Sequence, residues 1–408
     1  TTLGGQIRNR LAAVDAGTGS LLPWNPDADS EVYALVVSGG TVYLGGYFAA
    51  IGGQLRSNIA AVDGITGAPT SWDPNANGLV LSLAIANGLV YAGGGFTTIG
   101  GAARNSLAAL DPTTGLATAW NPNANDWVTS VLPGAGVLYA GGYFTSIGGQ
   151  SRSCIAALSP STGLATSWNP GASAHVEVLA MGSSVLYAGG AFTTIGGQPR
   201  NRLAALNPTT GLATAWNPNA DDVVDAMSIS GGTIYVGGSF TMIGVASRSG
   251  VAAIDVANGA ATSWNPSAVG TVYSIAVSGS RVYLGGDFLE VGGLPQSDIA
   301  SIFPNLTAVQ ETPPSAAECV LGPAAPNPFV SSTSIRLSLT REEVVTLRVY
   351  DVHGREIAVL ADGSYHAGTY VFGWNGSGRD GQASVSGVYF CELKTAKTSL
   401  KRKLILVR

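Results

Sequence analysis

Charge is scarce in this chain of 408 residues: Asp, Glu, Lys and Arg together make up 11%, against roughly a quarter in an ordinary globular domain. A surface built from such a chain is polar through Thr, Ser and Asn and only weakly ionic. Lysine is missing from most of it. Up to Phe303 there are nine Arg, no Lys and sixteen Asp plus Glu, a formal balance of −7, and the four Lys (Lys394, Lys397, Lys401, Lys403) all fall in the final stretch. Phosphate neutralisation needs a basic face, so a nucleic-acid partner is excluded for this part. Only three cysteines occur, Cys154, Cys319 and Cys391. That number builds neither a disulfide framework nor a metal-ligand spacing, though a bridge between Cys319 and Cys391 stays open. No apolar run is long enough to span a bilayer as a helix, and no charged-then-apolar leader opens the sequence. The chain is therefore expected to be soluble or already processed. The three histidines, His175, His353 and His366, each stand apart from any Ser, Cys or carboxylate pattern. No Gly-rich phosphate loop precedes a helix, so the expectation is a protein that is not an enzyme and carries no organic cofactor.

Strict repetition is what the chain does have. Trp24, Trp72, Trp120, Trp168, Trp216 and Trp264 are 48 residues apart each time, and so are Phe48, Phe96, Phe144, Phe192, Phe240 and Phe288. A fixed period of this size marks an architecture in which each unit buries its apolar face only against its neighbours. Within one period, residues 128–132 and 137–140 read as strands joined by the turn Pro133-Gly134-Ala135-Gly136, residues 154–158 as a third strand, and the segment ending at Trp168 as a fourth. Four short strands per unit, with no helical apolar period, describe a blade of a β-propeller. The fold expected is all-β: a six-bladed β-propeller over 1–303, a Pro- and Ala-rich linker over 304–326, and a small β-sandwich over 327–408. Labelling the blade strands a to d, the chain opens on c and d and closes on a, b and c. A clasp in which Leu21 to Trp24 completes the last blade leaves one c strand too many. The surplus strand is then displaced or pairs with another molecule.

Four groups of residues are candidate sites. The six Trp offer one sugar-stacking face per blade, but large aromatics at strand ends more often pack between blades; Trp127, which breaks the period, is the better exposed contact. Arg56, Arg104, Arg152, Arg200 and Arg248 (with Arg8) also recur every 48 residues. They form either an anion-binding circle for glycans or carboxylates, or a structural clip to turn carbonyls or to Asp residues nearby. After four of the six Trp comes an alternation of oxygen-bearing side chains at i, i+2 and i+4, the copies with Gly171 and Ser173 and with Ser267 and Val269 departing from it. This is the geometry of a calcium loop and also of ordinary Asx turns. Asp27, Asp29, Asp221 and Asp222 are the candidate calcium ligands, calcium being the one cofactor left open.

Two stretches of the repeat resemble known propellers. Val42-Tyr43-Leu44-Gly45-Gly46, followed by a Trp after the fourth strand, is similar to the kelch repeat, and Ala109-Leu110-Asp111-Pro112-Thr113-Thr114-Gly115 leading to Trp120 resembles the tryptophan-docking repeat of quinoprotein-type propellers. The latter has one residue fewer between Gly and Trp, so the resemblance implies the fold and not the quinone. The terminal segment resembles the C-terminal sorting domain of type IX secretion substrates and the related immunoglobulin-like domain of flagellar hook-capping proteins. The matching residues are Pro326-Asn327-Pro328-Phe329, Val349 to Glu356, Gly368-Thr369-Tyr370 with Trp374, Ser386 to Phe390, and Lys403 to Val407. That resemblance implies secretion to a bacterial cell surface, with the export machinery as partner. Three functions follow as expectations: a structural or adhesive surface module that self-associates or binds other surface proteins, a lectin-like glycan binder, and a degenerate quinoprotein-like or hydrolytic enzyme.

Overall fold

The computed structural model describes residues 2–3, 6–16, 19–279, 281–303, 319–378, 382–395 and 399–407. Two compact units divide the chain, Thr1–Ala308 and Val309–Arg408.

In the first unit each period folds into an antiparallel sheet, and six sheets follow one another, five of three strands and a last one that also takes in the short strand Leu294–Pro295. The first consists of Glu31–Ser38, Thr41–Tyr47 and Ile59–Asp63, and the last of Ala268–Ser278, Arg281–Val291 and Ile299–Ile302. A short second hairpin, Ala50–Ile51 with Gln54–Leu55 in the first period, interrupts each repeat. The double glycine of the middle strand has a steric cause. A Cβ on Gly45 would lie 2.5 Å from Cγ1 of Val80, and one on Gly46 would lie 2.1 Å from the carbonyl oxygen of Glu31. The bare backbone is what lets the inner strand of the next sheet close in.

The fourth strand is weaker than the sequence pattern suggests. It survives as one bridge per period, Val62↔Pro69 and Leu110↔Ala117 among them. The backbone then leaves the sheet because its groups are claimed elsewhere: the Thr70 carbonyl accepts from Arg56 at 2.6 Å, and the Thr70 hydroxyl accepts from the N–H of Trp72 at 3.2 Å.

The expected clasp between the two ends takes a different form. Ile299–Ile302 pairs with the middle strand of its own sheet. The N-terminal segment pairs with itself through Val14↔Leu21, and Leu11 and Trp24 pack on Leu44, Phe48, Ile51 and Val62 of the first sheet. The hydroxyl of Tyr283 in the last sheet donates to the carbonyl of Ala16 at 3.3 Å, as Tyr139 does to Pro208 of the following repeat. Thus the opening residues form the outer half of one more unit. Among the described residues no inner strands accompany it, and Leu35 on the first inner strand is 55% exposed where its counterpart Ile275 is 8% exposed.

The second unit is two stacked antiparallel sheets. One joins Cys319–Ala325, Thr333–Leu339 and Gly368–Trp374; the other joins Glu356–Tyr365, Glu343–Asp351, Gly387–Lys394 and Ser399–Leu406. Its core gathers Leu321, Phe329, Ile335, Leu347, Val349, Trp374 and Leu404. Cys319–Ala325 lies inside the span read as linker. Its Gly322-Pro323 step coincides with a register irregularity between Leu321 and Ala324, so the alternation that signals a strand is broken there; residues 304–318 of that span lie outside the described residues. Cys319 and Cys391 are both free and buried, as is Cys154. Desolvation pushes the Cys391 thiol up to about 12.

Candidate functional site

The repeated residues are consumed by the fold. Every repeated indole crosses to the next sheet: Trp24 donates to the Asp63 carbonyl at 3.0 Å, Trp72 to Asp111 at 2.9 Å, Trp120 to Ser159 at 3.0 Å and Trp264 to Phe303 at 3.1 Å. From Trp72 onward the rings meet the middle-strand tyrosines edge to face, as Tyr43 meets Trp72 at 5.0 Å and Tyr139 meets Trp168 at 5.1 Å. Those five tryptophans are buried seam bolts with no free face for a sugar, and Trp24 is half-buried.

The recurring arginines are clips. Arg152 gives Nη1 to the Ser151 carbonyl at 2.7 Å and Nη2 to the Thr166 carbonyl at 2.6 Å. Arg56, Arg104, Arg200 and Arg248 repeat the pattern on Thr70, Thr118, Thr214 and Thr262. Both Nη atoms of each are held by backbone, with Nε buried and unpartnered beside them, which leaves no guanidinium circle pointing outward.

The oxygen-rich loops have a local reason as well. Residues at i+2 lie in the left-handed region, Asp27 at φ 56°, Asn75 at 52°, Asn123 at 51° and Asn219 at 60°, a conformation that Asn, Asp and Gly adopt at least cost. Residues at i+4 hold the second hairpin. Asp221 accepts from the N–H groups of Thr241 and Met242 at 2.9 Å each, and from the Thr241 hydroxyl at 2.6 Å. Burial pushes the Asp221 carboxyl up, but those donors outweigh it and hold it below the ordinary range. Asp29 accepts from Ala49, Asp27 from Asn9, and Asp222 from Val223. The four candidate calcium ligands therefore fall into two separate repeats, and among the described residues no three His, Cys, Asp or Glu side chains gather around a common point.

Chemistry that departs from the repeat collects elsewhere, at the end of the first unit where inner strands begin and middle strands finish. In the third repeat Trp127 is 43% exposed and Tyr143 is 39% exposed, with their rings 6.3 Å apart. Trp127 lies over Gly95 of the preceding repeat, where a Cβ would fall 2.7 Å from the indole nitrogen. Tyr143 stacks on His175 of the following repeat at 4.3 Å and 15°, and its hydroxyl donates to Oε1 of Glu177 at 2.7 Å. The same oxygen lies 3.3 Å from Nε2 of His175. Burial, reinforced by Glu177, drives the Tyr143 hydroxyl far above its ordinary value. One repeat further on, Asp225 stands at the frame position of Glu177. Burial first, then the charges of Glu177 and Asp222, push its carboxyl up to about 6.

Sequence reading singled out Trp127 and missed its partners. His175, taken as isolated, is two residues from Glu177 and stacks on a ring 32 positions earlier. The available signal was the set of frame positions whose chemistry changes between copies: Leu79, Trp127, His175 and Val223 share one, and Leu81, Thr129, Glu177 and Asp225 share another.

The motifs of the second unit are also local structure. Asn327 donates to the Lys403 carbonyl at 2.8 Å and accepts from the N–H of Ile405 at 2.8 Å, pinning the terminal strand. Asp351 caps its turn by accepting from the N–H groups of His353 and Arg355.

Compared with known proteins, residues 329–399 match the FlgD Ig-like domain and residues 185–210 match a β-propeller domain of unknown function (DUF5122). No curated protein sequence matches the chain. Among solved structures, the computationally designed Ika8 protein is similar at a TM-score of 0.44 and 15% identity, over 87% of this chain and 98% of that one. PorZ of Porphyromonas gingivalis, described as an essential surface component of the type IX secretion system, is similar at a TM-score of 0.39 and 15% identity. That likeness spans 97% of this chain and 62% of PorZ. A chain of the mitotic checkpoint complex aligns at a TM-score of 0.45 and 16% identity, over 72% and 84% of the two chains.

Proposed function

We propose that this chain is a surface-displayed, non-enzymatic binding protein: a propeller of six blades and an outer half-blade, exported by a type IX-like route and held or released at the bacterial surface through its Ig-like unit. One observation carries the reading. The recurring Trp and Arg side chains are spent on holding blades together, while aromatics and carboxylates that break the period gather at one end, where among the described residues no nucleophile stands beside a base. A scaffold of equal repeats with one divergent mouth is suited to recognition. The match to the FlgD Ig-like domain and the five motifs quoted above support export, and the kelch-like and quinoprotein-type resemblances support the propeller without its quinone.

Adhesion through the mouth is tested by immobilising the full chain and measuring capture of cell-surface extracts and of a glycan array, beside the Trp127→Ala and Tyr143→Ala variants. Loss of capture at unchanged melting temperature is expected. Capture indifferent to both variants overturns the reading. Glycan hits alone would favour the lectin-like form of it. Self-association is a second reading, favoured by the exposed Leu35 and by Ile299, which is 48% exposed although its counterpart Ile59 is fully buried. The contact would run between end sheets, because the N-terminal hairpin is already paired within its own chain. Sizing that returns only monomers at high concentration removes this second reading.

A further inference from the structure

The mouth has a definite chemical bias. Glu177 and Asp225 hold one frame position in consecutive repeats, so the fold itself stations two carboxylates on neighbouring inner strands. Asp222 adds its charge to Asp225 from the same repeat. Arg202, the arginine of these repeats that is off the recurring position, gives Nη1 to the Ala191 carbonyl and is not among the charges acting on Asp225. Tyr143 stands beside Glu177, fixed at its hydroxyl by that carboxylate and on its face by His175, and the accessible ring of Trp127 continues the row 6.3 Å from Tyr143, toward Gly95 of the preceding repeat.

Aromatic faces and carboxylates side by side select among ligands. An anion is repelled. A neutral sugar can stack and hydrogen-bond, yet it leaves the repulsion between Glu177 and Asp225 in place. A cationic nitrogen relieves that repulsion and gains the ring quadrupole as well. We propose that this mouth binds a primary amine or guanidinium, such as the Lys or Arg side chain of a partner protein, with Glu177 and Asp225 taking the charge and Trp127 and Tyr143 covering the aliphatic stem. This rests on the binding reading above and names the ligand class that the reading leaves open. Amphipathic stems on aromatic rings with the charged head turned to carboxylates are a favourable use of Lys and Arg.

The test uses the full chain and calorimetric or NMR titration with three probes: Nα-acetyl-lysine amide, its uncharged analogue Nα-acetyl-norleucine amide, and a neutral oligosaccharide. The lysine probe is expected to bind and the norleucine probe not, with affinity falling as salt is raised. Glu177→Gln, Asp225→Asn and Trp127→Ala should each weaken binding roughly threefold to tenfold, while Ser183→Ala, at an inner-to-middle strand turn of the fourth repeat, changes nothing. Thermal melts exclude unfolding as the cause, and the separate carboxylate variants keep the outcome readable should one of them misfold. Absence of lysine binding, or binding untouched by both carboxylate variants, overturns the proposal. Oligosaccharide binding that needs Trp127 would then leave the binding function standing, whereas silence of all probes together with unchanged surface capture would remove both.

Discussion

The seams between repeats and the mouth at their end use the same residue types for opposite purposes. Trp120 in a seam is 6% exposed, meets Tyr91 edge to face at 5.3 Å and donates to Ser159. Trp127, seven residues later, holds its position over a glycine and keeps nearly half its surface in solvent. Arg152 has both ends of its fork on carbonyls, while the charges of the mouth face one another. In the seams the indole nitrogens and the arginine Nη atoms meet carbonyls, while the Nε atoms of those arginines and the Tyr91 hydroxyl are buried without a partner. In the mouth, groups are left incompletely matched beside solvent, and that mismatch is where binding energy can be gained.

Substitutions at four positions sharpen this contrast. Trp120→Ala should cost about 3–5 kcal/mol by denaturant unfolding, since it empties a seam and removes one of the two donors to the Ser159 carbonyl. A loss below about 1 kcal/mol would mean that the seams are not the source of stability. Arg152→Ala should cost about 1–3 kcal/mol by leaving two carbonyls without their donor, and Arg152→Lys should not restore it because an ammonium cannot span both.

Asp225→Asn should act in the other direction. The folded-state pKa of about 6 lies above the ordinary aspartate value of about 4, so the native state binds more protons between those pH values. Stability therefore falls as pH rises from about 4 to 6, and the amide removes that loss. Discounted for solvent screening at a partly exposed site, the variant should be about 1 kcal/mol more stable at pH 7 and no more stable at pH 4. A variant less stable at pH 7 would show that the carboxylate has a stabilising partner. Trp127→Ala should shift stability by less than about 0.5 kcal/mol, and a melting curve clearly below that of the parent would make the ring structural.

Much of the seam was legible in the sequence because repetition multiplies the signal: six Trp and six Phe in one frame require a common environment. The strand assignments around Pro133 to Gly136 follow for the same reason, since turn residues recur where strands must reverse. The mouth was obscured by that procedure. Aligning copies for what they share hides Glu177 opposite Leu81 and Tyr143 opposite Gly95, and contacts such as Tyr143 on His175 join different repeats. The strand at Cys319–Ala325 was lost to its own Gly-Pro step, and the fourth strand was overestimated because Arg and Trp withdraw its backbone from the ladder. Asx geometry explains why the post-Trp loops imitate a calcium site: the left-handed turn selects the same residues that a hard cation would.

The ties between repeats also make the chain arithmetically divisible. Each indole reaches a carbonyl 39 residues ahead and each recurring guanidinium a carbonyl 14 ahead, so these ties of a repeat are written inside itself and its successor. Excising residues 105–152, one whole period, would rejoin Arg104 to Ser153 with every remaining donor still meeting its acceptor. Removing half a period would break the ties on both sides of the cut. Length can therefore change in steps of 48 residues while the indole and guanidinium ties between repeats are kept.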